Sequence, residues 1–180
     1  MSRVVEISTQ LREWATLAGY SLTPGGTTDD GRAILWSDGG EIRHFVGIDD
    51  AGWCVVTDSD RLGPEYFTIA APSVTTVETY FFGKFGRFIR SRNQLPRVRM
   101  PLSQDEVFSG FSITTTTFDD VDRWTLTASD GATVALSSGD EFSATAELAK
   151  LSLYLSATVD ELMSSYLSPT GAPLFSLQQR

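Results

Sequence analysis

Three adjacent aspartate pairs are the residues of this chain best suited to chemistry: Asp29-Asp30, Asp49-Asp50 and Asp119-Asp120. Two positioned carboxylates can cleave a glycosidic bond or hold a hard cation. Neighbouring aspartates in glycine-rich segments are more often turn formers, because their carboxylates bond their own backbone. We therefore expect exposed turns and partner-facing charge. A carboxylate-based hydrolase or small-ligand binder is the less favoured alternative.

Other catalytic groups are scarce. The single histidine, His44, falls inside a predicted strand, where a satisfied structural role is more common than that of a base. No serine stands in a Gly-x-Ser-x-Gly elbow, and no phosphate-binding or dinucleotide fingerprint occurs. One histidine and one cysteine, Cys54, make a poor zinc set, and we expect Cys54 to be buried in a strand. We predict no catalytic residues, no cofactor and no metal, hence a protein that is not an enzyme.

The stretch from Tyr80 to Arg90 combines aromatic rings, glycines and cations in about three helical turns. Gly83 and Gly86 share a face and predict close approach of another backbone, at a cost of about 1 kcal/mol each in helix propensity. We expect the cations to neutralise the acidic loops; direct contact with a partner and a basic patch for phosphate or nucleic acid are the alternatives. The predicted core stripe of this helix consists of Val77, Phe81, Phe85 and Phe88.

These residues must be positioned by an α+β fold with antiparallel sheets in a meander arrangement. An N-terminal helix is expected from near Ser8 to Ala18, with Gly19 as its cap. Short β-rich runs joined by Asp- and Gly-containing turns indicate hairpins. These runs are Arg32–Trp36, Glu41–Ile48, Trp53–Asp58 and Glu65–Ala70.

The second half of the chain is also expected to contain both helices and strands. A capping box at Thr75–Glu78 is expected to open the central helix, which should end near Arg92. Two C-terminal helices are expected, one with the apolar stripe Leu148, Leu151 and Leu155 and a second opened by another capping box, Thr158–Glu161. A second strand group lies between them: Val107–Thr117, Arg123–Ala128 and Thr133–Ser138. We expect one domain over residues 1–180, with a loosely ordered tail from about residue 169.

Charge and hydropathy restrict the partners. A formal net charge of −9 disfavours nucleic acid and anionic membranes, and favours a basic protein surface. The N-terminal residues show no signal peptide pattern, and no apolar run approaches the ~18 residues of a membrane span. The sequence predicts a soluble cytoplasmic protein.

Four motifs follow one another along the first hundred residues: Gly52–Arg61, Glu65–Phe67, the Tyr80–Arg90 helix and Leu95-Pro96. Their order resembles the actinobacterial TNT antitoxin family, immunity proteins against NAD⁺-hydrolysing toxins of the tuberculosis necrotizing toxin (TNT) type. The resemblance implies a non-enzymatic cytoplasmic inhibitor that binds its toxin one to one and blocks the NAD⁺ cleft. The resemblance assigns no role to an individual residue of this chain.

Charge and expected exposure alone suggest the contact residues. A cleft for an anionic dinucleotide should be basic and should attract acidic loops. We expect the meander to gather four aspartates at neighbouring hairpin ends: Asp49, Asp50, Asp58 and Asp60. Asp119, Asp120 and Asp122 come next, and Trp53 is either an aromatic anchor or a core residue. The rival hypothesis is an acidic secretion chaperone or adaptor, which would commonly be a dimer.

Overall fold

The computed structural model describes residues 3–179. The chain divides into two compact units, one ending at Glu78 and the other beginning at Thr79. Each combines helices with an antiparallel meander, so the predicted α+β class is confirmed. That the whole chain acts as one domain stays a prediction.

The first unit is an antiparallel meander of five strands preceded by one helix. Each strand pairs with the next along the chain. Only the short β1 is absent from the sequence prediction, because three residues are too few to show alternation. The elements are α1 (Thr9–Leu17), β1 (Ser21–Thr23), β2 (Ala33–Ser37), β3 (Ile42–Ile48), β4 (Cys54–Asp60) and β5 (Tyr66–Ala71).

Helix α1 forms as its sequence predicts. The Ser8 hydroxyl accepts a hydrogen bond from Leu11 N at 3.2 Å, which satisfies a free amide of the first turn. Leu11 and Trp14 are buried on one face, and Gly19 follows the helix with φ +88°. Cys54 is buried in β4 as expected, and burial raises the pKa of its thiol to about 12.

The second unit contains a three-stranded meander and the remaining helices. Strand β6 begins at Phe111, not at Val107 as expected, because the segment before it turns at Gly110 with φ +94°. The elements are α2 (Val74–Arg92), whose first turn belongs to the first unit, β6 (Phe111–Phe118), β7 (Val121–Ala128), β8 (Thr133–Ser137), α3 (Glu141–Leu155) and α4 (Val159–Leu167).

One of the two predicted capping boxes is wrong. Helix α2 begins at Val74, two residues before the start that this box predicts, and Ser73 Oγ accepts from Thr75 N at 3.1 Å. The Glu78 carboxylate accepts instead from Ser8 N at 2.7 Å. The capping box of α4 is confirmed, with Thr158 and Glu161 bonding each other's backbone amides.

The glycines of α2 approach aromatic rings, not another backbone. A Cβ at Gly83 would lie 2.0 Å from Tyr154 Cε2, and one at Gly86 would lie 2.2 Å from Tyr166 Cδ2. Both rings are buried, and the Tyr166 hydroxyl donates to that of Tyr154 at 3.0 Å. The helix therefore needs glycine where the two tyrosines rest on it.

Phe88 differs from expectation. Phe81 and Phe85 are buried, but Phe88 is 44% exposed and Ile89 is buried in its place. The segment after Pro169 makes contacts within the described residues, and its loose order stays a prediction. The Phe175 ring packs 4.7 Å from that of Tyr166, and Leu177 bridges to Val98.

Replacing Gly83 with alanine should destabilise the protein by about 1–3 kcal/mol. The methyl group would overlap the Tyr154 ring, and this overlap outweighs the ~1 kcal/mol gain in helix propensity. Urea unfolding measures the difference. The control is Gly26→Ala, whose added Cβ meets only Val4 Cγ1 at 4.0 Å. A Gly83→Ala protein as stable as wild type would contradict this role of glycine.

Candidate functional site

The first acidic turn, Asp49 and Asp50, joins β3 to β4. Asp49 Oδ1 accepts from Trp53 N at 2.8 Å, and Gly52 completes the turn with φ +91°. Asp50 is exposed, whereas Asp49 and Trp53 are half-buried. The turn thus presents a carboxylate on a backbone fixed by its own hydrogen bonds.

The four aspartates expected at neighbouring hairpin ends are not gathered together. Ile48 pairs with Cys54 beside the first acidic turn, and Ile42 pairs with Asp60 at the other end of the hairpin. Six residues of strand separate these ends by about 20 Å. Successive turns of a meander alternate between the two ends of its sheet, so this part of the prediction is wrong.

Asp58 is buried and pairs with His44 across two strands. His44 Nδ1 lies 2.6 Å from Asp58 Oδ1, and the Tyr20 ring stacks on the imidazole at 5.5 Å between centroids. One hydrogen bond therefore links the imidazole to the carboxyl group. Burial is the main cause that raises the pKa of the Tyr20 phenol.

The sequence contained a signal for this pair. His44 and Asp58 are equally distant from the centre of the turn that joins their strands, and antiparallel pairing therefore places them opposite each other. A histidine oriented by a carboxylate is an arrangement that hydrolases use. Here the imidazole is only 3% exposed, and a substrate could not reach it without opening the strands. The arrangement agrees with a structural histidine that Asp58 holds through Nδ1.

The second acidic turn, Asp119 and Asp120, joins β6 to β7. Phe118 pairs with Val121, which leaves the two aspartates as the whole connection, with φ +50° and +59°. Aspartate is among the few residues that tolerate this left-handed conformation. Both are exposed, and the neighbouring Asp122 accepts from Thr117 Oγ1 at 2.7 Å.

Asp30 and Glu65 are held by one arginine. Arg32 donates to Glu65 through Nη1 at 2.6 Å and to Asp30 through Nε at 2.6 Å. The hydrogen bond from Arg32 is the main cause that lowers the pKa of Glu65. Asp30 is therefore a paired turn residue.

Near Asp60, the pKa of the Tyr66 phenol is raised, first by burial and then by the charges of Asp58 and Asp60.

Comparison with known proteins identifies the family. The model of immunity protein 61 (Imm61) matches residues 14–174. The chain belongs to this family of immunity proteins. The resemblance to antitoxins inferred from the sequence motifs is thereby confirmed.

Two relatives and a solved structure are similar over nearly the whole chain. The immunity factor for TNT of Mycobacterium tuberculosis (strain ATCC 25618 / H37Rv) is 40% identical over 173 residues, 96% of this chain and 94% of the relative. The immunity factor for TNT homolog of Mycobacterium bovis (strain BCG / Pasteur 1173P2) gives the same values. The structure of Rv3902c from M. tuberculosis aligns with a TM-score of 0.88 at 40% identity, covering 96% of this chain and 95% of that one.

Within residues 3–179 of this immunity protein, no cluster of three or more His, Cys, Asp or Glu side chains could hold a metal ion. Among the same residues, no helix has the length and apolar character needed to cross a membrane. Of the predicted contact aspartates, those that the structure leaves exposed are Asp50, Asp60, Asp119, Asp120 and Asp122, and these remain the candidate contact residues.

Replacing Asp58 with alanine should destabilise this immunity protein by about 1–3 kcal/mol, because the buried His44 Nδ1 would lose its hydrogen-bond partner. Urea unfolding followed by circular dichroism measures the loss. The matched control is Asp60→Ala in the same strand, where the exposed side chain should change stability by less than about 0.5 kcal/mol. Equal stability of both variants with wild type would argue against a structural role of Asp58.

Proposed function

We propose that this chain is a non-enzymatic inhibitor of a TNT-type toxin, which it binds one to one in the cytoplasm of the toxin-producing cell. It covers the cleft in which the toxin hydrolyses NAD⁺. The main support is family membership together with 40% identity, over 96% of the chain, to a relative named immunity factor for TNT. The toxin class follows from that relative's name.

Electrostatics supports this mode of inhibition. A cleft that accepts an anionic dinucleotide is expected to be basic. The inhibitor carries a net charge of −9, so the two proteins attract each other over a distance. Attraction of this kind raises the association rate and weakens with added salt.

The first acidic turn is the better insert of the two hairpin ends in the first unit. Asp49 fixes the turn through its bond to Trp53 N, so little conformational freedom is lost on binding. At the other end, Asp60 is followed by the cation Arg61 and by Leu62, which is 75% exposed. Ends about 20 Å apart cannot enter the same narrow cleft.

Other predicted contacts keep different roles in this proposal. The second acidic turn and Asp122 are a second candidate insert, exposed on a two-residue hairpin connection. Trp53 flanks the first acidic turn and is half-buried, so its accessible part could pack at the rim of the cleft. Asp58 is not proposed as a contact, because it is committed to His44.

Inhibition should be stoichiometric. We expect the toxin's NAD⁺ hydrolysis to fall to background at one equivalent of the chain, and NAD⁺ to slow complex formation because both occupy one cleft. Fluorescent NAD⁺ turnover and light scattering of the purified complex are the measurements. Full toxin activity at excess inhibitor, or NAD⁺ turnover by the chain alone, would contradict the proposal.

Removing the charges of an inserted turn should slow association roughly threefold to tenfold at low salt, with a smaller effect on dissociation. Two double variants test the two turns: Asp49→Asn with Asp50→Asn, and Asp119→Asn with Asp120→Asn. Asparagine keeps the acceptor of Asp49 and tolerates positive φ. Stopped-flow binding across a salt series measures the rates.

The control removes the same net charge elsewhere. Glu6 and Glu13 are exposed, and the variant Glu6→Gln with Glu13→Gln matches the loss of two charges. An acidic turn that enters the cleft must lower the rate more than this control does. If all three variants associate equally fast, the turns act only through net charge and are not inserts.

A further inference from the structure

The second unit contains a cavity of about 1320 Å³ whose lining is basic. We call it the basic groove. Its walls are α2 from Tyr80, the part of α3 from Glu147 to Tyr154, the segment 97–102 with Glu106, and residues 176–179. Six of the 14 lysines and arginines of the acidic chain line it: Lys84, Arg87, Arg90, Arg97, Arg99 and Lys150.

Half of these cations are engaged in the fold itself. Arg90 donates to the carbonyl oxygens of Pro96, Tyr166, Ser168 and Pro169, at distances of 2.5–3.0 Å. The buried Lys150 ammonium lies 2.6 Å from Glu147 Oε1. These contacts build the walls and leave little donor capacity for a ligand. Arg99 pairs in the same way with Glu106.

Two arginines of the basic groove have side chains that are available to bind a ligand. Within residues 3–179, the side chains of Arg87 and Arg97 form neither an ion pair nor a hydrogen bond, and both are exposed. Lys84 lies one turn before Arg87 on the same face of α2, with its ammonium 5.7 Å from the centre of the Tyr80 ring. The groove therefore has more positive charge than its two carboxylates compensate.

The groove is also partly apolar. Phe88, Leu102 and Leu177 line it and are 44%, 50% and 40% exposed. Phe88 follows Arg87 on α2 and departs from the expected core stripe. Leu177 lies beside Arg97 on a short two-segment ladder, in which Gln178 N donates to Arg97 O at 2.9 Å and Arg99 N donates to Ser176 O at 2.8 Å. Backbone bonds thus fix both kinds of side chain at the rim.

We propose that the basic groove binds an acidic segment of a partner protein, one in which apolar residues alternate with carboxylates. Arginine forks bind carboxylates through two parallel hydrogen bonds, and arginine with aromatic side chains is the usual composition of strong binding spots. Because the groove is positively charged, charge complementarity favours a negatively charged occupant. The size also favours a chain segment, because pockets for small molecules measure about 300–1,000 Å³.

This site goes beyond the proposed inhibition of a toxin. The acidic turns suit a basic cleft, whereas the groove suits a negatively charged surface, so the two sites select partner segments of opposite sign. The groove can be tested without any toxin. A failure of the inhibitor proposal would leave this test unchanged.

The probe is a fluorescein-labelled peptide of repeated Glu-Leu-Glu-Ser units, titrated with the full chain at low salt and followed by fluorescence anisotropy. We expect saturable binding that weakens with salt. The variant Arg87→Gln with Arg97→Gln should bind the peptide roughly tenfold more weakly. The matched control is Arg12→Gln with Arg92→Gln, which removes two exposed charges that do not line the groove and should bind like wild type.

Three results would overturn the proposal. The first is equal binding by the groove variant and the control. The second is equal binding of a peptide with glutamine in place of glutamate. The third is binding of pyrophosphate, lost in the groove variant, without binding of the peptide, which would make the groove a site for small anions. Thermal unfolding checks that the variants are folded, and the single variant Arg97→Gln gives the same test should the double variant not fold.

Discussion

The contact of two tyrosine rings with the glycines of α2 is the constraint on which the second unit depends. Tyr154 from α3 and Tyr166 from α4 rest where Gly83 and Gly86 leave helix backbone uncovered, and the two hydroxyls bond each other at 3.0 Å. Any larger residue at these glycines would push the helices apart. The contact also orients α2, so that Arg87 and Phe88 face the basic groove and not the core.

Arg90 extends this arrangement into the C-terminal segment. Its guanidinium bonds the carbonyl oxygens that end α4, including Tyr166 and Ser168, and that of Pro96 after α2. A buried guanidinium would be costly without such partners. Burial is also the main cause that lowers its pKa. One cation therefore ties α2 and the segment that follows it to the end of α4, 76 positions further along the chain.

Local chemistry made much of the fold predictable from sequence. The Gly19 cap of α1, the Thr158–Glu161 capping box and the glycine-containing turns act within a few residues, and the structure agrees with each. The predictions failed where residues distant in sequence determine the contacts. Glu78 was expected to cap its own helix but bonds Ser8, 70 positions away, and Phe88 has core spacing but lies in a groove wall. Asp58 was expected at a hairpin end, although its distance from the turn centre equals that of His44, which it faces across the hairpin. The two acidic turns of the candidate site were predictable from the sequence. The end of the hairpin at which each aspartate lies was not.

Net charge and local charge act over different distances in this molecule. At physiological ionic strength, the electrostatic potential of a charge decays over about 8 Å. An approaching protein therefore responds first to the net negative charge of the chain. Six cations gathered in one groove are felt only after close approach, where desolvated arginine–carboxylate bonds become strong. The acidic turns are therefore suited to accelerating encounter with a basic surface. The groove is suited to prolonging a contact already made, since arginine and aromatic contacts act mainly on dissociation. A chain with this separation of charge can attract one kind of surface and retain another without the two functions competing for the same residues.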